Sequence, residues 1–591
     1  MRRLTPLFFI FLMMSCTSFL PTSEDPITEN ELYNHIKYLS SDSLKGRKPG
    51  TPEGRLAAEY IKAEMLKAGF TPLGEDAFQY FDIIADVEIS NSSSFQIDDE
   101  TQSFGEDFTP IAFSKNGNLS TKVVFAGYGF DFSNDSLMWN SYENIDVNNS
   151  WALVLRGSPD GKDFGNNVSL RKKVMVATDH GASGVIFVSS ISFDEKDALV
   201  SQDYAKNEAA VYVPVFHITR DIANSILLQG KTIEALETEL NSTYKPSSFA
   251  IDKTISANAI INRKSVQTQN VVGVLEGKDS VLKHEYILIG GHYDHLGLGG
   301  PGSGSRRPDS SAVHNGADDN ASGVSGALEV IERIASKSSA LKRSVIFMAF
   351  GAEEMGLIGS KYFTNNALID LSKIKLMINM DMIGRMKDDK TGLTIGGTGT
   401  ATGLDTLIKD LAIENNLLIR TTKGGYGPSD HASFYTNDIS VLFFFTGVTD
   451  EYHTPHDDIE TINIAGEKII ADFVFDLAVE LANKDVFPSF QQAGPKANEQ
   501  TGNRKFKVTL GIIPEYAGNS DVMGLKVDGV VSGKPAAHAG MDKGDIIIAM
   551  DGKSVKDIYE YMNRLSDFKV GQRISVDVMR GNEKVILIVE L

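Results

Sequence analysis

Between residues 270 and 487 short apolar runs recur, and none of them alternates strictly between apolar and polar. Tyr286-Ile287-Leu288-Ile289 and Ser344-Val345-Ile346-Phe347-Met348 are two of them. A strand that is apolar on both faces has to be covered on both faces, and helices provide that cover over a parallel sheet. Helical patterning separates the runs, as in Val324 to Ala335. The expected fold class is therefore α/β, a three-layer α/β/α domain with a mostly parallel central sheet. Such a sheet binds its ligands outside the carboxyl ends of its strands.

Metal-capable side chains fall where those ends are expected. The motifs are Gly291-His292-Tyr293-Asp294, Gly316-Ala317-Asp318-Asp319-Asn320-Ala321-Ser322-Gly323, Glu353-Glu354, Met380-Asp381-Met382 and Tyr452-His453-Thr454. His292 follows the strand ending at Ile289-Gly290, and Glu353 and Glu354 follow the one ending at Phe350-Gly351. Asp381 ends Ile374 to Met380, and His453 lies in the loop after Val441 to Phe445. Asp319 lies in a loop running into a helix that begins near Ala321. Zinc suits imidazole and carboxylate ligands. His292, Asp319, Glu354, Asp381 and His453 can serve two ions if one carboxylate bridges. Paired ions lower the pKa of a shared water and polarise a carbonyl. A carboxylate beside a ligand can hold the water's proton and pass it to a leaving amine, and Glu353 beside Glu354 meets that need. Asp294 is expected to accept the second ring N–H of His292, the kind of outer contact that fixes a ligand's tautomer.

Other motifs are absent or bland. His284-Glu285 is followed by Leu288 where an H-E-x-x-H zinc motif needs histidine. His284, His295, His314 and His456 read as loop or surface residues. There is no G-x-S-x-G elbow, and Cys16 is the single cysteine. The stretch Gly297 to Ser311, with Arg306-Arg307, reads as a flexible loop near the site mouth.

A chain of 591 residues needs more than one core. Its net charge of -21 argues against a nucleic-acid partner. Met1-Arg2-Arg3, then the apolar run Leu4 to Met14, then Ser15-Cys16 read as a secretory signal. The small residue before Cys16 resembles a bacterial lipobox. That implies lipidation at Cys16, a membrane contact through the lipid anchor, and residence in the bacterial cell envelope. The expected organisation is a signal over 1–16, a tether over 17–27 and the first part of a catalytic domain over 28–104. An inserted module follows over 105–250, then the second part over 255–487, a linker over 488–503 and a small module over 504–591.

The five motifs, in this order, resemble the co-catalytic two-zinc aminopeptidases, a family that also holds glutamate carboxypeptidase-like enzymes. The resemblance covers 28–104 and 255–487. It implies two Zn2+ per chain, with His292 and Asp381 on one, Glu354 and His453 on the other, and Asp319 bridging. Asp319 rather than Asp318 is selected because the family's bridge stands four residues before the motif's last glycine. Glu353 becomes the general base, Tyr452 an oxyanion partner, and His431, in Ser429-Asp430-His431, a support behind the ligands. The implied activity is removal of N-terminal residues from peptides through a metal-bridged hydroxide. Carboxypeptidase or glutaminyl cyclase chemistry on the same scaffold is the alternative. A non-catalytic receptor-like protein is a third reading, which the complete ligand set argues against. The insert, with β-type runs such as Trp151-Ala152-Leu153-Val154-Leu155, resembles a protease-associated domain. In the last module Leu510-Gly511-Ile512-Ile513, Pro535-Ala536-Ala537-His538-Ala539-Gly540 and Lys543-Gly544-Asp545-Ile546-Ile547 resemble a bacterial PDZ domain. That implies an extended C-terminal peptide as ligand, its carboxylate held by the Leu510–Ile513 backbone.

Overall fold

The computed structural model describes residues 27–591 except 134–137, 161–163, 207–209, 301, 388–390, 495, 497–507, 515–523 and 531–532. Cys16, the signal segment and all but the last residue of the tether lie outside the described residues, as does much of the linker.

Four parallel strands form the middle of a nine-stranded sheet: Ser344–Phe350, Tyr286–His292, Ile374–Met380 and Ser440–Phe445. Antiparallel strands flank them, Ile261–Leu275 on one side and Leu393–Gly396 on the other. The apolar runs lack alternation because both faces are covered. Ile287, Ile289, Val345 and Phe347 pack into one core with Ile36, Ile61, Ile331 and Val474 from the helices Glu29–Leu39, Pro52–Lys67, Gly323–Ser336 and Ile464–Asn483. Their strand neighbours Leu288, Ile346 and Met348 point the other way, onto Phe363 and Phe434 of the helices Ile358–Asn365 and His431–Tyr435. Each such side chain contributes roughly 1.5–3 kcal/mol through burial, so the strands are fixed in depth and their ends cannot slide.

Local signals set the helix limits. Thr51 caps Pro52–Lys67 by accepting the Gly54 N–H at 3.1 Å, with Pro52 at the first position. Gly69, at φ 93°, turns the chain away. Ala57, Ile61 and Met65 form the buried stripe. Leu56 is 52% exposed because it sits one position off the i, i+4 line.

The insert has its own eight-stranded sheet. Its strands begin at Ser94–Ile97 and end at Phe249–Ala259, which pair with each other, so the module extends beyond the expected limits of 105 and 250. The chain enters and leaves it along two long antiparallel strands, Phe78–Ile89 and Ile261–Leu275. Strand-type residues run across the second junction at Ala259-Ile260-Ile261, whereas the first is the turn-type cluster Ser90-Asn91-Ser92-Ser93.

The C-terminal module is a six-stranded sheet with the helix Ile558–Ser566. Leu510 is buried and its carbonyl accepts the Ala536 N–H, Gly511 takes a positive φ of 73°, and Ile512–Pro514 pairs with Leu525–Val530. The module's helix rests on the insert. Arg564 pairs with Asp179, Asp557 accepts from Arg171 at 2.8 Å, and the Tyr212 hydroxyl donates to the Lys556 carbonyl at 2.7 Å. Among the described residues no helix is long and apolar enough to cross a membrane.

Candidate metal centre

The parallel strands end together, and the predicted ligands meet there. His292 is the last residue of its strand, and Asp381 directly follows another. Glu353 and Glu354 lie on the turn after Phe350, and Asp319 sits in the turn Ala317–Ser322 that opens the helix Gly323–Ser336. Asp319 is at the centre. Its Oδ1 lies 3.3 Å from His292 Nε2 and its Oδ2 3.2 Å from His453 Nε2. His292 Nε2 is also 3.5 Å from Asp381 Oδ1, and His453 Nε2 is 3.2 Å from Glu354 Oε2.

Both imidazoles are held by Nδ1. That of His292 donates to the backbone carbonyl of Asp294 at 3.2 Å and that of His453 to the carbonyl of Gly304 at 3.0 Å. Such bonds fix the tautomer and leave the Nε2 lone pairs facing the carboxylates. This corrects the expected part of Asp294. Its carboxylate Oδ1 is 3.8 Å from His292 Nδ1, and instead the two oxygens accept the N–H groups of Glu353 at 3.0 Å and Glu354 at 3.4 Å. The turn after His292 brings the main-chain oxygen, not the side chain, to the ring. Asp294 therefore aims the Glu353-Glu354 turn.

The residues fit divalent metal. Asp381 Oδ1 and His453 Nε2 are buried and have no hydrogen-bond partner. Zinc bonds of about 2.0–2.1 Å in a tetrahedron put neighbouring ligand atoms about 3.3–3.4 Å apart. The four separations of 3.2, 3.2, 3.3 and 3.5 Å match that edge. Charge points the same way. Burial opposes charge on His453, yet the carboxylates of Asp319 and Glu354 beside it carry it up to about 10. Burial pushes Glu353 well above the ordinary carboxylate range; His292 pulls it back, and Glu354, Asp430 and Asp381 add to the rise. Carboxyls crowded in this way call for a cation among them.

Several neighbours hold these side chains in place, Asp457 and Arg47 among them carrying no motif in the sequence. Asp457 accepts the N–H groups of Asp318 and Asp319, each at 3.0 Å, and so orients the Ala317–Ser322 turn. Arg47 is buried and donates to the carbonyls of Tyr293, Asn315 and Gly316, tying the His292 loop to the Asp319 loop. Arg385 lies behind the ligands, 3.3 Å from Asp457. Asp318 faces away from the cluster, its Oδ1 accepting the Gly384 N–H at 2.8 Å.

His295 and His314 are buried, against the expectation of loop or surface positions: His314 lies 2.8 Å from Ser305 of the Gly-rich loop, and the His295 ring packs against Gly316. The loop is strapped to the His453 segment. The Arg306 N–H donates to the His453 carbonyl at 2.9 Å, and the Arg306 guanidinium lies 4.8 Å from the centre of the Tyr452 ring. Tyr452 in turn stacks on the His453 ring at 3.8 Å. His431 stacks on Phe443 at 4.4 Å and its Nδ1 has no partner. Its neighbour Asp430 is pushed up to about 7 by burial, while His292 pulls it down.

An α/β sheet that gathers imidazoles and carboxylates at its strand ends, with a spare carboxylate beside them, defines a metal-dependent hydrolase site. Residues 270–478 match peptidase family M28, 117–226 the PA domain and 501–591 the PDZ domain. The chain thus carries a peptidase family M28 domain over 270–478, preceded by a PA domain and followed by a PDZ domain at its C-terminal end. It is 26% identical over 485 residues to Aminopeptidase YwaD of Bacillus subtilis (strain 168), spanning 79% of this chain and 87% of that protein. It is 24% identical over 501 residues to an aminopeptidase of Pseudomonas aeruginosa (strain UCBPP-PA14), spanning 79% of this chain and 83% of that one. Among solved structures, an aminopeptidase from Aneurinibacillus sp. strain AM-1 aligns with a TM-score of 0.46 and 22% identity, over 80% of this chain and 96% of that one.

Proposed function

We propose that this chain is an exported zinc-dependent aminopeptidase that holds two metal ions and releases N-terminal residues from peptides. One observation carries the reading: each carboxylate oxygen of Asp319 lies 3.2–3.3 Å from a different imidazole Nε2, the arrangement of a bridge. His292 and Asp381 complete one position, and Glu354 and His453 the other. Bound zinc there supplies a Lewis acid for the scissile carbonyl and lowers the pKa of water.

The chain's own groups do the rest. Glu353, on a turn aimed by Asp294, takes the proton of the attacking water and returns it to the leaving amine. Burial raises the Tyr452 phenol above its ordinary range, so it stays protonated and can donate to the developing oxyanion. Curated relatives named as aminopeptidases favour N-terminal cleavage over carboxypeptidase or cyclase chemistry. Export and a lipid anchor at Cys16 rest on the N-terminal sequence alone. A C-terminal peptide remains the proposed ligand of the PDZ domain through Leu510 to Ile513.

The test is hydrolysis of a panel of aminoacyl chromogenic amides, with and without a chelator. Turnover that the chelator abolishes and zinc restores supports the reading. Chelator-insensitive turnover overturns it, and turnover of N-blocked peptides only assigns the carboxypeptidase alternative.

A further inference from the structure

His295 is fully buried at the edge of the cluster, and nothing in the ligand assignment uses it. Its Nδ1 lies 2.8 Å from Glu354 Oε1 and 3.9 Å from Asp319 Oδ2. A shared tetrahedral ion needs both separations near 3.3–3.4 Å. His453 Nε2 meets that requirement with 3.2 Å to each of the same two carboxylates. For His295 the shorter distance is that of a charge-assisted hydrogen bond, and the longer one is too long for a common ion. Glu354 is a carboxylate with no proton to give, so His295 Nδ1–H donates. The bond takes up Oε1 and leaves Oε2 facing His453.

The ring packs closely against the Asp319 loop. A Cβ on Gly316 would come within 2.6 Å of His295 Cδ2, and Gly316 has a φ of 56° that favours glycine. From below, the Arg47 guanidinium holds the carbonyls of both Tyr293 and Gly316, at 2.7 and 2.9 Å. His295 is therefore clamped between the two loops that carry His292 and Asp319.

We propose that His295 is a positioning residue that holds one oxygen of Glu354 away from the metal, so that Glu354 binds the ion it shares with Asp319 and His453 through a single oxygen. This rests on the two-metal reading above. Two oxygens from Glu354 would fill the position that water or a substrate carbonyl must occupy; the hydrogen bond keeps it open.

The full chain, stripped of metal and titrated with cobalt, tests the idea, because cobalt d–d absorption weakens as coordination number rises. His295→Phe removes the donor, and His295→Asn keeps an N–H near the same place. The expected result is two ions per chain in all three proteins, with the band of one site markedly weaker in His295→Phe and restored in His295→Asn. An unchanged band in His295→Phe overturns the proposal. So does loss of one ion from both variants, which makes His295 itself a ligand. Uptake of fewer than two ions by the wild type faults the two-metal reading instead. Should His295→Phe not fold, a crystal structure of the zinc-loaded wild type decides. One Glu354 oxygen within about 2.2 Å of the ion and the other on His295 supports the proposal, and both oxygens on the ion overturns it.

Discussion

Asp319→Asn separates the bridging assignment from every looser reading of the cluster. In the wild type both oxygens of Asp319 face an imidazole lone pair, at 3.3 and 3.2 Å, so on the proposed reading each metal position draws one of its three protein ligands from this carboxylate. Asparagine keeps one weak oxygen acceptor and loses the charge. Zinc held by a full protein ligand set is bound by about 10–16 kcal/mol. Loss of one ligand among three or four thus costs about 3 kcal/mol at one position or both, on the order of a hundredfold in affinity. Asp318→Asn is the control. Its side chain is equally buried, but asparagine retains the oxygen that accepts the Gly384 N–H, and affinity should change by less than about tenfold. Zinc titration of metal-free protein against a competing chelator, with metal content after dialysis, measures both. Two ions retained by Asp319→Asn at wild-type affinity, or equal losses in the two variants, would refute the bridge.

Glu353→Ala should keep both ions and lower kcat by about 10²–10⁴-fold, since it removes a proton carrier and no ligand; metal analysis beside steady-state kinetics checks this. Asp457→Ala strands the buried N–H groups of Asp318 and Asp319 and should cost about 2–4 kcal/mol of stability, measured by chemical denaturation of the metal-free protein; a change within 0.5 kcal/mol would contradict it. Glu560, in the helix that faces the insert, has its carboxyl raised from 4.5 to about 7 by burial. A raised carboxyl favours the folded state below pH 4.5, and that benefit disappears as pH climbs through 7. The cost above pH 7 is about 3 kcal/mol. Glu560→Gln should therefore melt higher than wild type at pH 8 and match it at pH 4.5 or below. A difference that does not vary with pH would count against this account.

Much of the centre was readable because the sheet converts sequence order into spatial proximity. His292 and Asp381 stand at strand ends that the apolar runs already marked. His295 was less accessible to sequence: its burial depends on the Asp319 loop packing against it at Gly316 and on Arg47, 248 positions earlier, reaching the same turn. Asp457 carries no motif signal either. Its partners are the backbone N–H groups of Asp318 and Asp319, and main-chain donors leave no trace in residue type. The same limit explains Asp294, whose spacing from His292 fits a side-chain contact that the backbone carbonyl makes instead. The insert's second edge was hidden because strand-type sequence continues through Ala259-Ile260-Ile261, while at the first edge only the short cluster Ser90-Asn91-Ser92-Ser93 marks the turn.

The most direct measurement is anomalous diffraction at the zinc edge on crystals of the zinc-loaded chain. Two peaks are predicted about 3.5–4 Å apart, one among His292, Asp319 and Asp381 and the other among Asp319, Glu354 and His453. A lone peak, or a pair that does not share Asp319, would contradict the account.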